Sequence, residues 1–144
     1  MSRIRRTGSG GVIVARSSRS DAPNWWRVYG DGWCEQGGQI AATPYYEGSS
    51  STGQALNLLI PMETADYHSS VHCAGVNNDW GNVANEILDA RTAKTINVVC
   101  NDTAATPDHT NNKLIWEVKG WISNETLANI KAGKTWNPST ETWS

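Results

Sequence analysis

From Asn24 onward, apolar positions recur at every second residue, the period of a half-buried strand. In the first such run Trp26, Val28 and Gly30 fall on one face, and Trp25, Arg27, Tyr29 and Asp31 on the other. Asp31-Gly32 follows, a pair that supplies the positive φ of a tight hairpin turn. "WCEQGGQIA" then reads as the return strand. Further strands are expected at residues 55–62, 66–76, 87–90, 95–100 and 113–123. In 55–62 Leu56, Leu58 and Ile60 share a face, and Pro61 ends the pairing or places it at an edge. In 66–76 the shared face is Tyr67, Ser69, Val71 and Cys73. The clearest alternation is 113–123, with Leu114, Trp116, Val118, Gly120 and Ile122 on one side.

The period changes after Ser123. Ser123 or Asn124 can cap a helix, Glu125 suits its first turn, Leu127 and Ile130 lie three apart, and Gly133 stops it. The pattern therefore predicts an all-β chain, an antiparallel β-sandwich of about seven or eight short strands with a short C-terminal helix. Residues 1–23 read as a basic arm and linker containing one short strand at 11–16, residues 24–123 as the β-domain, and 124–144 as helix and tail. Polar loops are expected at 43–54, 77–86 and 103–112.

Composition agrees with that picture. The 144 residues suit one domain, and only 18% are charged, so the surface is mostly neutral polar rather than the Glu/Lys face of a helical bundle. Phe is absent while Trp numbers eight, so Trp supplies much of the ring packing, some of it at partly wet positions where the indole N–H finds a partner. Net charge is −2, yet Arg3, Arg5, Arg6, Arg16 and Arg19 all precede the first acid, Asp21. This arm reads as a solvated or partner-docking segment rather than a nucleic-acid binder. Cys34, Cys73 and Cys100 are odd in number and lack a CxxC, so isolated thiols are expected, not a disulfide framework. No apolar run is long enough for a signal h-region or a membrane span, and synthesis in a reducing cytoplasm is expected.

Candidate chemistry is sparse. His68 and His72 share a strand face about 13 Å apart, too far to hold one ion together, so no metal is expected unless an oligomer brings symmetry-related copies into a ring. Asp31 and Glu35 flank Trp33-Cys34 and could serve as a glycosidase acid pair. The preferred reading makes Asp31 a turn residue and Glu35 a solvated strand residue. Cys34 lacks an implicated His and reads as a packed thiol. No GxSxG, phosphate loop, dinucleotide fingerprint or HExxH occurs, so neither a catalytic residue nor a cofactor is assigned. The loops carry sugar-binding chemistry instead: Tyr45, Tyr46, Asn78, Asp79, Trp80, Asp108 and His109 offer amides, carboxylates and ring faces. The alternative at each is an ordinary polar turn, with Trp80 folded back onto the core.

"WWRVYGDGWCEQGGQI", "LLIPM", "ARTAKTINVVC" and "WEVKGWIS", in that order, resemble the C-terminal domain of tailed-phage tail fibres and related virion receptor-binding proteins. Tyr29, Asp31, Gly32, Trp33, Glu35, Gln36, Gly37 and Gly38 match the family's opening motif. Ile60-Pro61 matches its middle, and Trp116, Gly120 and Trp121 its closing strand. The resemblance implies a β-sandwich at the tip of a homotrimeric fibre, with loops that recognise host-surface glycan or protein, and no enzyme. Such domains usually end a long fibre, whereas this sequence has only 23 residues before its β-domain and continues past the usual last strand. The expectation is a short virion module, assembled in the host bacterial cytoplasm and docked by its arginine arm on another tail or capsid protein. No nucleic-acid contact or membrane insertion is expected. A structural adaptor or decoration protein is the alternative, and a glycan depolymerase the third reading. Surplus apolar surface at Leu59, Val99, Ile115 and the Trp25/Trp26 pair would be covered about the threefold axis.

Overall fold

The computed structural model describes residues 11–41, 44–46, 54–74, 83–102 and 113–144, with the backbone alone at 44–46, 83 and 100–102. Among these residues lie eleven strands, one α-helix and two 3-10 turns. The strands are β1 (Ile13–Arg16), β2 (Trp25–Tyr29), β3 (Trp33–Ala41), β4 (Pro44–Tyr46), β5 (Gln54–Asn57), β6 (His68–Ala74), β7 (Val83–Glu86), β8 (Thr95–Asp102), β9 (Lys113–Trp121), β10 (Trp136–Asn137) and β11 (Thr142–Trp143). A five-stranded sheet runs β1-β2-β3-β9-β6, a four-stranded sheet gathers β4, β5 and β7 on β8, and β10 pairs with β11. All pairings are antiparallel except β4 with β8.

The β2–β3 hairpin forms where the alternation predicts. Val28 stands opposite Cys34 and Trp25 opposite Gly37. The turn needs Gly32, whose φ is +90°, and the Asp31 Oδ1 accepts the Trp33 N–H at 3.1 Å. Period two then decides burial. Val28, Cys34, Gln36, Leu114, Trp116 and Val118 are buried on the inner face of the five-stranded sheet. Leu56, Ile96 and Val98 of the four-stranded sheet enter the same core cluster, as do Leu58, Ile60, Met62 and Tyr67.

Residues 58–62, expected as strand, leave the ladder after Asn57. Their apolar side chains still alternate inward, but their backbone is held differently. The fully buried Gln36 accepts the N–H groups of Leu59 and Ile60 at 2.7 and 3.0 Å and donates to the Ile60 carbonyl at 2.7 Å. One amide thus takes the place of a neighbouring strand. Leu58 and Met62 donate to the carbonyls of Lys94 and Ala93 at 2.8 and 2.7 Å.

Residues 87–90, also expected as strand, form a 3-10 turn at Leu88–Ala90, and Leu88 is 67% exposed. The strand lies just before it, at β7, inside the stretch read as a polar loop. Pro44–Tyr46, likewise read as loop, pair with Cys100–Asp102 of β8. In both places pairing with β8 across the sheet, rather than any alternation in the local pattern, makes the strand. The expected tail is a small hairpin in which Trp136 stands opposite Trp143 with ring centroids 5.3 Å apart. The helix α1 (Asn124–Lys131) is as expected: the Ser123 Oγ accepts the Thr126 N–H at 3.0 Å, and Gly133 ends it with φ +74°. β1, within the stretch read as arm, pairs with β2 at the sheet edge and leaves Val12, Ile13 and Val14 exposed.

Candidate functional site

Alternation along β2 sends Trp25 and Trp26 to opposite faces of the five-stranded sheet. This is the division the alternation predicts, and it means that the pair cannot both belong to one surplus apolar face. On the outer face, register aligns side chains in rows across the strands. One row is Trp25, Gly37, Glu117 and Ser70; the next is Gln39, Ile115 and His72. A Cβ at Gly37 would lie 3.0 Å from two atoms of the Trp25 ring and 2.7 Å from the Trp116 carbonyl. Glycine thus lets the indole lie down on β3. The result is a groove of about 140 Å³ lined by Trp25, Gln39, Ser70, His72, Ile115 and Glu117.

The ring and polar groups of this groove differ in how firmly they are held. Arg27 stands 5.8 Å from the centroid of Trp25, a cation–π approach that stiffens the ring. Glu117 pairs with Lys119 at 2.8 Å. Among the described residues, the side chains of Gln39, Ser70 and His72 have no hydrogen-bond partner in the protein. A pyranose lying on the indole would meet an amide, a hydroxyl, an imidazole and a carboxylate around its rim.

Beside the groove, Arg27, Glu35 and Lys119 stand in a row across three strands. The carboxylate of Glu35 accepts from Arg27 through Nε and Nη2 and from the Trp33 indole N–H at 3.2 Å. Glu35 is only 8% exposed, so the expectation of a solvated residue fails: Arg27 pairs with it directly across the hairpin and Trp33 covers it. The hydrogen bond to Glu35 holds the Arg27 guanidinium above its ordinary pKa. Asp31 is engaged in the turn. Glu35 has its acceptor capacity taken by Arg27 and Trp33, which leaves little for a reacting proton.

Cys34 is fully buried, and burial pushes its thiol well above the ordinary range, with the charge of Glu35 adding to the effect. It is a packing residue in the native state. His68 and His72 lie on the outer face opposite Lys119 and Ile115. Among the described residues no group of three His, Cys, Asp or Glu side chains can hold a metal ion.

A second concavity, about 350 Å³, lies on the Trp26 side and is walled by Asp21, Asn24, Leu59, Lys134 and Trp136. It exists because the β10–β11 hairpin folds back toward the segment 58–60.

A third cluster, unforeseen from the sequence, ties the two sheets together. The Glu86 carboxylate receives Arg91 Nε at 2.8 Å and Nη2 at 2.7 Å, and also the Ser69 hydroxyl. The Arg91 guanidinium lies 4.5 Å from the Tyr67 ring centroid and donates to the Tyr67 carbonyl. Burial pushes the Glu86 carboxyl up, but the hydrogen bonds from Arg91 and Ser69 outweigh it and hold it below the usual range. Burial pushes the Tyr67 phenol up to about 12. Every polar group in this cluster has a protein partner, so it is a clamp rather than a binding site.

Of the expected recognition residues, Tyr45 and Tyr46 sit in β4 with their backbones opposite Asn101 and Asp102. Asn78, Asp79, Trp80, Asp108 and His109 lie outside the described residues, as do Arg3, Arg5 and Arg6. Arg16 ends β1 opposite Arg27, and Arg19 opens an exposed 3-10 turn. Val99 is buried, and Leu59 packs against the core, so neither is free apolar surface.

No family model, curated protein or solved structure matches the chain.

Proposed function

We propose that the chain is a virion surface component, a tail-fibre or tail-tip module that holds host-surface glycan in the groove over Trp25 and does not hydrolyse it. The two sheets would be the layers of a β-sandwich presented about the axis of a homotrimer. The observation that carries the reading is the Trp25 ring lying on Gly37 beside Gln39, Ser70, His72 and Glu117. The half-buried indole suits the C–H patch of a pyranose, and the amide, hydroxyl, imidazole and carboxylate suit its hydroxyls. The virion assignment draws its support from the resemblance of the opening hairpin, whose Asp31-Gly32 turn and Gly37 fit the motif's physical demands.

At about 140 Å³ the groove is smaller than the roughly 300–1,000 Å³ of an enclosing ligand pocket. It suits one face of a sugar unit in a longer chain lying across the sheet. Affinity per site would then be low, and three-fold presentation would raise the avidity. Glycan-array and whole-cell binding by the full chain, with its mass in solution, tests this reading. A trimer that binds glycan supports it; a monomer that binds neither glycan nor cells overturns it.

The adaptor reading has one observation in its favour. β1 is an edge strand in which Ile13 and Val14 are 41% and 43% exposed, and Val12 just before it is 80% exposed. Such an apolar edge suits docking on another strand. If charged substitutions at Val12 and Val14 abolish virion incorporation while glycan binding is absent, the adaptor reading replaces the first.

A further inference from the structure

The concavity on the Trp26 side carries an inference independent of the outer groove. Its volume of about 350 Å³ falls within the roughly 300–1,000 Å³ typical of small-molecule sites. Apolar walls come from Trp26, Leu59 and Trp136. The back of Trp136 is fixed by Trp143, at 5.3 Å between ring centroids, and Lys94 stands 5.7 Å from its ring. The site is thus built by the C-terminal hairpin against β2.

Its polar groups form an unbalanced set. The Asn24 Oδ1 is buried against Gly38, where a Cβ would come within 2.1 Å of it. That leaves the Asn24 Nδ2 as the free end of the amide. The indole N–H groups of Trp26 and Trp136 and the Lys134 ammonium likewise have no acceptor among the described residues. Asp21, the acid of the cleft, accepts the Ser18 N–H at 2.9 Å through Oδ2 and keeps Oδ1 as an acceptor for a ligand hydroxyl. Four lining residues therefore bring unused donors to an aromatic cleft whose facing acceptor is the remaining oxygen of Asp21. A purely apolar occupant would leave these donors without partners. A ring with an apolar face, several oxygen acceptors and a negative charge would satisfy them.

We infer that this cleft binds a saccharide unit carrying a carboxylate. The ring stacks on the tryptophan wall, and the carboxylate pairs with Lys134. Because Trp26 and Trp25 lie on opposite faces of the sheet, occupation here requires nothing of the outer groove. Each protomer then holds two sugar contacts of different chemistry.

The test uses the full chain, ¹⁵N-labelled, titrated with a hexuronate and with the neutral hexose of the same stereochemistry. Indole N–H signals of Trp26 and Trp136 are assigned from Trp26→Phe and Trp136→Phe. The hexuronate should shift both signals and bind about tenfold more tightly than the hexose, a difference that Lys134→Met abolishes. Lys134 is an exposed residue, so this variant keeps the fold even if changes at Trp136 disturb the hairpin. The same shifts in Trp25→Ala separate this site from the outer groove. Unmoved Trp26 and Trp136 signals overturn the inference, and so does equal affinity for the two sugars or a preference that survives Lys134→Met.

Discussion

Trp25 and Trp26 are neighbours in β2, yet each walls a different concavity, one on the outer face of the five-stranded sheet and one on the core side. The period of a strand makes this unavoidable. A one-residue slip of the β2–β3 register would exchange the two rings and bury Arg27 in place of Val28. The Asp31-Gly32 turn and the buried Val28–Cys34 pair hold that register, and with it both sites.

Gly37 should tolerate no side chain. In Gly37→Ala the new Cβ collides with a carbonyl and with the Trp25 ring, so the ring must lift. We expect a loss of about 1–3 kcal/mol in denaturant unfolding and weaker glycan binding. Wild-type stability together with wild-type binding would mean that the ring does not rest on this strand.

Gln36 should be the costliest polar residue to remove. Gln36→Leu fills the space but strips partners from the N–H groups of Leu59 and Ile60 and the carbonyl of Ile60. At about 1–3 kcal/mol per unsatisfied group, the midpoint should fall by the equivalent of roughly 3 kcal/mol or more. A drop below about 1 kcal/mol would show that segment 58–62 finds other partners.

The Glu86–Arg91 pair should make stability depend on acid. The Glu86 carboxyl lies below its unfolded value in the native state, so the folded chain binds fewer protons there. Its contribution is complete above the unfolded carboxylate range and is lost as pH falls through the lower folded value. Glu86→Gln should flatten that part of the stability–pH curve, read by thermal melts across the acid range. Arg91→Met, which leaves a carboxylate nearly buried and unpaired, should cost about 3 kcal/mol at neutral pH.

Cys34 should stay unmodified by a thiol reagent until the molecule unfolds globally. Peptide mapping after graded denaturant exposure measures this: labelling of Cys34 should track the unfolding transition. Rapid labelling in native buffer would contradict its burial.

The hairpin, β6, β8, β9 and α1 were legible because their signals are local: strict alternation, an Asp-Gly turn, a serine cap. The second half of 55–62 was not, because its hydrogen bonds go to Gln36, a side chain more than twenty residues away. β7 and β4 were missed for the same reason, since only pairing with β8 makes them strands. At 87–90 three apolar residues imitated a strand, although Leu88 faces solvent. The candidate sites were half visible. The Trp25-Trp26 pair stands out in the sequence, and His72 is marked there only by its spacing from His68. Gln39, Ser70 and Glu117 meet Trp25 only through cross-strand register, and Lys134 meets Trp26 only because the last residues fold into a hairpin. No single strand's pattern carries that information.

The most direct test of the central claim is the binding of Trp25→Ala to host cells and to the glycans that the native chain binds. Near-UV circular dichroism and the unfolding midpoint serve as controls for the fold. The account predicts a loss of about tenfold or more in binding with the fold retained. Undiminished binding by a folded Trp25→Ala would contradict it.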